Sequence, residues 1–178
     1  MPPTPAPSKS SSPHDTDALF KASDVATPFA VRGDVYRIVV GVDDSAGGRA
    51  ALTWALEEAE LRHAQLEVVN AWSFPLAEGW NSEWPADEAW YRGKSEDFLE
   101  RAIAECKTNR HTAVEPILAP LRSEGPAFGV LAQSEGADLL VVGSRGRGGF
   151  TGLLLGSVST QCVQHATCPI VVVKVPND

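Results

Sequence analysis

Positive charge is scarce in this chain: 15 Lys and Arg stand against 23 Asp and Glu, which gives a net charge of −8. Nucleic acids and anionic membranes are bound mainly through basic residues, so this deficit argues against both as partners. A membrane-spanning helix is not expected either, because no apolar run reaches the roughly 18 residues that it needs. A small anion such as a nucleotide still fits the composition, since it responds to local hydrogen-bond donors.

Cysteine and histidine are too few and too scattered to predict a metal site. The three cysteines (Cys106, Cys162 and Cys168) are odd in number and lack metal-ligand spacing, and the four histidines show no i,i+4 pairing. The chain begins without the basic region and apolar core of a secretory signal. These absences predict reduced thiols in a cytoplasmic protein. We interpret Cys162 as a small core residue and not as a nucleophile, because no base is visible near it.

Several familiar functional motifs are also missing. The chain has no GxxxxGK[ST] P-loop, no GxGxxG after its first predicted strand, no SGGxDS loop of the pyrophosphatase type and no GxSxG nucleophile elbow. These absences disfavour a P-loop NTPase, a dinucleotide-binding enzyme and a serine hydrolase. The sequence predicts no catalytic residue.

The first 33 residues differ in composition from the rest of the chain. They hold six of the 13 prolines and a serine-rich run at 8–12. Such a segment cannot bury enough apolar surface to offset its ordering entropy. We therefore predict a disordered extension over 1–33 and one folded domain over 34–178.

Apolar runs alternate with helical patterns through the rest of the chain. Strands are predicted over 36–42, 66–71, 113–118, 138–142 and 169–174, and helices over 46–63, 88–107, 126–135 and 157–165. This alternation predicts a five-stranded, doubly wound parallel α/β sheet with right-handed crossovers and strand order 3-2-1-4-5. In such sheets ligands bind beyond the carboxyl ends of the strands, where the winding reverses. The first and fourth strands should flank that point.

The first predicted helix has an apolar side and a candidate cap. Ser45 or Asp44 is expected to cap its N-terminus, and Gly47-Gly48 in its first turn leave room for a close approach. Its inward side is predicted from the helical period and consists of Leu52, Ala55, Leu56, Ala59 and Leu61.

A glycine constellation follows the fourth predicted strand: Gly143-x2-Gly146-x9-Gly156-Ser157. Glycine lets the backbone approach a ligand closely, and the first turn of a helix offers free N–H groups with a partial positive charge. The pattern therefore favours a phosphate-binding site, with Arg145 or Arg147 able to hold phosphate oxygens. The alternative is a flexible surface loop whose glycines only make turns, with both arginines solvated.

Asp43 directly follows the first predicted strand, on the other side of the expected reversal point. It could accept hydrogen bonds from a ribose hydroxyl or an adenine-side group, or bind a metal through water. The alternative is that Asp43 caps the following helix. Both roles are compatible for the Asp43-Asp44 pair, and we expect one residue of each kind. Farther along, the 72–90 connection holds four of the five tryptophans. They are more typical of residues that close a core edge than of a substrate cage.

Four segments of the chain resemble the ATP-binding subgroup of the universal stress protein family. They are RIVVGVDDS at 37–45, LEVVNAW at 66–72, ADLLVVGSRGRGG at 137–149 and GSVSTQCVQHATCPIVVV at 156–173. The resemblance covers roughly residues 36–175. It implies a Rossmann-like sheet of the adenine nucleotide alpha hydrolase type, ATP with Mg²⁺ carried by the nucleotide, and a homodimer formed through the last strand.

The resemblance also implies which residues contact the nucleotide. Asp43 would face the ribose and adenine, Gly143, Arg145 and Gly146 the ribose and phosphates, and Gly156, Ser157 and Val158 the phosphates. Gly41 and Val42 would lie beside Asp43, and Ala71 would line the adenine pocket. Asn70 departs from the pattern, because many relatives have histidine there.

The expected function is that of an ATP-binding regulatory stress protein, in which ATP occupancy tunes conformation or oligomeric state. Two alternatives stay open. One is slow ATP hydrolysis or phosphoryl transfer, for which only Asp43 or Asp44 could orient a water. The other is a dimeric scaffold that does not use nucleotide.

Overall fold

The computed structural model describes residues 35–73, 87–108, 110, 112–148 and 154–175. The predicted extension over 1–33 lies outside the described residues, as do Trp80 and Trp84. The strands are β1 Arg37–Gly41, β2 Gln65–Trp72, β3 Ile117–Arg122, β4 Leu139–Gly143 and β5 Ile170–Val173. The helices are α1 Ala46–Arg62, α2 Glu88–Thr108, α3 Pro126–Gln133 and α4 Ser157–His165.

The five strands form one parallel sheet in the order β3-β2-β1-β4-β5, which confirms the predicted order. Side chains alternate across the sheet, so β1 feeds two apolar cores. Val40 packs with α1 and α2 on one face, and Val39 with α3 and α4 on the other. Because helices cover both faces, the sheet is doubly wound and its winding reverses between β1 and β4.

Two sequence predictions about the periphery are wrong. The third strand lies at Ile117–Arg122 and not at 113–118. It is the edge strand and contains Pro120, which an edge position tolerates but which suggests a strand end in the sequence. Leu61 was assigned to the inward side of α1, but 78% of it is exposed. It follows Ala59 by two residues, more than half a turn at 3.6 residues per turn.

Both ends of α1 have clear causes. Ser45 caps the N-terminus, because its hydroxyl accepts a hydrogen bond from the Gly48 N–H at 3.0 Å. This confirms Ser45 as one of the two expected caps. At the other end His63 adopts the left-handed conformation with φ of 52° and terminates the helix.

Two of the tryptophans predicted in the long connection belong to regular elements. Trp72 ends β2 and Trp90 lies in the first turn of α2. The Trp72 ring stacks on Tyr91 with centroids 5.4 Å apart, so this aromatic pair joins the end of β2 to the start of α2. Within the described residues, no helix is long and apolar enough to span a membrane.

Candidate functional site

The carboxyl ends of β1 and β4 bring together Asp43, the glycine loop that follows β4, and the N-terminus of α4. Gly41 of β1 pairs with Val142 of β4, so the segments that leave these two strands start side by side. The loop is described as far as Gly148, and residues 149–153 of the glycine constellation lie outside the described residues.

Asp43 links β1 to the glycine loop. Its Oδ1 accepts hydrogen bonds from the backbone N–H of Ser45 at 3.2 Å and from the Ser45 hydroxyl at 2.5 Å. Its Oδ2 accepts one from the backbone N–H of Arg147 at 3.3 Å. An ionised carboxylate has about four acceptor positions, so Asp43 keeps capacity for a ligand hydroxyl. Asp44 instead pairs with Arg49 in solvent, and the N-cap of α1 is Ser45 rather than either aspartate.

The glycines of the loop are needed for close approach. A Cβ atom on Gly146 would lie 2.6 Å from Oδ2 of Asp43, and one on Gly143 would lie 2.5 Å from the carbonyl carbon of Gly47. Neither glycine has positive φ, which among the described glycines occurs at Gly136 alone. Turn-making therefore does not account for Gly143 or Gly146.

Gly47 and Gly48, in the first turn of α1, also allow close contacts with the glycine loop and with Asp43. A Cβ on Gly47 would overlap the Arg145 carbonyl oxygen, and one on Gly48 would lie 2.6 Å from Oδ1 of Asp43. The room that these two glycines leave is thus occupied by the chain itself. The sequence predicts a close approach to these glycines but does not identify Arg145 as the partner of Gly47, because it lies about a hundred residues away.

The N-terminus of α4 is held close to this loop. Gly156 is its N-cap, and its N–H donates to the Ser144 carbonyl at 2.7 Å. The buried Ser159 hydroxyl donates to the same carbonyl at 2.8 Å. A Cβ on Gly156 would lie 3.4 Å from the Cα of Arg145, so loop and helix are in contact. The sequence alone does not indicate that Ser144 and Ser159 support this site.

This helix terminus has the chemistry of an anion site. No side chain caps it, because the residue at the cap is glycine. The first N–H groups of a helix have no partner within the helix and carry a partial positive charge. Ser157, at the first helical position, is exposed, and Val158 behind it is half-buried against the core.

The remaining predicted residues lie along the ends of β1 and β2. Val42 is buried, with its N–H donating to the Val69 carbonyl at 2.8 Å and its carbonyl accepting from Asn70 Nδ2 at 2.9 Å. Gly41 and Ala71 face α3: a Cβ on Gly41 would be 3.0 Å from Val130, and a Cβ on Gly129 would be 2.7 Å from that of Ala71. The structure therefore places all ten predicted residues at the carboxyl end of the sheet.

Nucleophilic and metal chemistry find little support in the part of the chain that is described. It contains no group of three or more His, Cys, Asp or Glu that could hold a metal ion. Cys162 is fully buried, as predicted, and burial, with a smaller contribution from Cys168, raises the pKa of its thiol to about 11. The thiol is therefore protonated at neutral pH, and the thiolate is the reactive form.

Comparison with known proteins shows the family of this chain. A sequence model of the universal stress protein family matches residues 35–174. The chain belongs to the universal stress protein family. Universal stress protein Rv2623 of Mycobacterium tuberculosis is 35% identical over 138 residues, which cover 77% of this chain and 44% of that protein. The chain thus spans about half the length of the curated relatives it matches.

Two solved structures of family members have a similar fold and are complexes with a nucleotide. A universal stress protein in complex with cAMP is 25% identical with a TM-score of 0.58, and the match covers 80% of this chain and 98% of that one. The Archaeoglobus fulgidus protein in complex with dAMP is 25% identical with a TM-score of 0.50, covering 77% and 96%. Both ligands are adenine nucleotides.

Proposed function

We propose that this member of the universal stress protein family binds ATP, with Mg²⁺ carried by the nucleotide, and that occupancy tunes its conformation or its oligomeric state. The observation that carries the proposal is the contact between Asp43 and the loop at Gly146, directly beside the uncapped N-terminus of α4. Asp43 can accept hydrogen bonds from the ribose hydroxyls of a nucleotide, and the N-terminus of α4 can bind its phosphates. Both lie at the carboxyl end of the sheet.

Each part of the nucleotide has residues suited to it. The N–H groups of Ser157 and Val158 and the Ser157 hydroxyl would hold phosphate oxygens, and Arg145 would add positive charge. Asp43 would accept hydrogen bonds from ribose hydroxyls. Ala71, at the end of β2, would lie beside the adenine. The cAMP and dAMP complexes of two relatives support an adenine nucleotide as the ligand class.

The proposed role is binding and regulation rather than turnover. Ligand binding can shift a conformational equilibrium only by its differential affinity for the two states. The three cysteines are free thiols, which suits the cytoplasmic location we propose.

We further propose that the protein pairs with a second copy of itself through β5. Ile170–Val173 is the edge strand next to β4, and all four of its residues are half-buried. An apolar edge strand with unpaired N–H and C=O groups is a template for pairing with another strand.

Titration calorimetry with ATP and Mg²⁺ tests nucleotide binding, and the loop offers a matched pair of variants. G146A places a methyl group against Asp43, whereas the Cβ position of Gly148, in the same loop, has no atom of the described residues within 4 Å. We expect wild type and G148A to bind alike, and G146A to bind about tenfold more weakly or worse, given the usual cost of overpacking. S157A should also weaken binding. Absence of ATP binding by wild type, or equal binding by G146A, would contradict the proposal.

A further inference from the structure

Asn70 connects three elements at the proposed nucleotide site through its side-chain amide. Nδ2 donates to the Val42 carbonyl at 2.9 Å, just beyond the end of β1. Oδ1 accepts from the Ser95 hydroxyl of α2 at 2.8 Å. Ser95 is 5% exposed, so this hydroxyl is buried under the carboxyl end of β2.

The bond to Val42 fixes the peptide that leads into Asp43. The Val42 carbonyl and the Asp43 N–H belong to one planar peptide unit, which rotates as a whole. The Val42 N–H donates to Val69, and Val42 itself is 5% exposed. Without Asn70 the Val42 carbonyl would be a buried acceptor without this donor. Because a buried acceptor without a donor is costly, the 42–43 peptide would rotate to find another partner.

Ser95 stabilises the orientation of the Asn70 amide that the Val42 carbonyl requires. A carbonyl acceptor needs the NH₂ end of the amide, and the amide oxygen then needs a donor. The Ser95 hydroxyl supplies that donor. The orientation of the 42–43 peptide therefore depends on a residue of α2, which makes no direct contact with Asp43 in the hydrogen bonds of the described residues.

We infer that Asn70 is a positioning residue for Asp43, that Ser95 holds Asn70 in its working orientation, and that α2 is thereby tied to nucleotide affinity. The inference rests on the proposed function, since it concerns how strongly Asp43 accepts from the ribose hydroxyls of ATP.

The test compares two ligands that differ only at the ribose: ATP and 2′,3′-dideoxy-ATP. N70D replaces the donor to Val42 by a carboxylate oxygen, so the peptide turns and Asp43 moves. We expect ATP to bind N70D about five- to tenfold more weakly, the usual effect of one hydrogen bond, and dideoxy-ATP to bind it nearly as it binds wild type. N70H keeps one donor and one acceptor in the neutral imidazole and should restore ATP affinity.

Two further variants separate positioning from general damage. S95A removes the donor to Asn70 without adding charge, and should show the same ligand dependence with a smaller loss; it carries the test if N70D folds poorly. R37M destabilises the fold at the amino-terminal end of the sheet, away from the site. It should leave the ratio of the affinities for ATP and dideoxy-ATP unchanged. Melting temperatures are measured for each protein.

The outcomes are distinct. A loss in N70D and S95A that is confined to ATP, with rescue by N70H, supports the inference. Equal losses for both ligands, or no loss for either, would overturn it while leaving nucleotide binding intact. If wild type binds neither ligand, the proposed function fails and the inference fails with it.

Discussion

Gly143 of β4 and Gly47 of α1 face each other with no room for a side chain on either. A Cβ on Gly143 would lie 2.5 Å from the carbonyl carbon of Gly47 and 2.6 Å from its oxygen. G143A should therefore lower the free energy of unfolding by about 1–3 kcal/mol, because backbone must move to admit the methyl group. Urea unfolding measures this loss.

Gly93 provides the control for G143A. It lies inside α2, and in the described part of the chain no atom comes within 4 Å of its Cβ position. G93A should raise the free energy of unfolding by about 0.5–1 kcal/mol, because alanine favours the helix. If both variants changed stability in the same direction, the packing explanation for Gly143 would be wrong.

Arg37 and Glu67 form an almost fully buried ion pair, with 2.6 Å between Arg37 Nε and Glu67 Oε1 and side-chain exposures of 11% and 0%. Gln133 Nε2 also donates to Glu67 at 2.6 Å. R37M should cost about 3–5 kcal/mol of unfolding free energy, because it leaves a buried carboxylate without its cation. Chemical denaturation checks the value.

The double variant R37M/E67Q removes both charges and keeps an acceptor for Gln133. It should recover at least half of the loss in R37M, since an unpaired buried charge costs more than a neutral amide. A double variant as unstable as R37M alone would show that the loss comes from the hydrogen bonds that the Arg37 guanidinium donates to the Gln133 and Glu135 carbonyls.

Cys162 should make stability depend on pH in the alkaline range. Burial raises the pKa of its thiol from 9.0 to about 11. Below about pH 9 both the folded and the unfolded thiol keep their protons, so this contribution is fully present. Between about 9 and 11 only the unfolded thiol ionises, which favours unfolding. The difference in unfolding free energy between wild type and C162A should therefore shrink as pH rises through this window, and a constant difference would contradict it.

Val172 offers a way to test pairing through β5 without breaking the sheet. The Pro169 and Val173 carbonyls accept hydrogen bonds from Leu140 and Ser144, so the odd-numbered positions of β5 face β4. Alternation along the strand directs the Val172 N–H away from β4. V172P should remove this outward donor and convert a dimer to a monomer in analytical ultracentrifugation, with little change in melting temperature. A V172P protein that stays dimeric would exclude β5 as the interface.

Apolar runs were sufficient to predict the sheet, because β1 and β4 are buried on both faces and are therefore almost continuously apolar in sequence. The edge strand was misplaced for the opposite reason. β3 has one neighbour only, so its sequence can include Pro120 and its burial pattern is mixed. A period of 3.6 likewise gave the inward side of α1 except near its end, at Leu61.

The site could be predicted where the residue type itself indicates the chemistry, as at Gly146 and Asp43. The residues that hold the site in place could not be predicted. Asn70 donates to the Val42 carbonyl, 28 residues away, and Ser159 donates to the Ser144 carbonyl, 15 residues away. Nothing in the local sequence of these residues indicates those partners. Only the folded chain shows that the glycines of α1 and of the loop fit against each other.

Ser144 gives the proposed function a thermodynamic consequence. Its carbonyl holds the N-terminus of α4, and its N–H donates at 2.7 Å to Val173, the last residue of the edge strand. Ser144 is thus hydrogen-bonded both to the helix terminus proposed to bind phosphate and to the strand proposed for self-association. Linkage between two such equilibria is reciprocal: whatever factor nucleotide changes the dimerisation constant by, dimerisation must change nucleotide affinity by the same factor. The fraction of the protein that has ATP bound would then depend on protein concentration as well as on the cellular level of ATP.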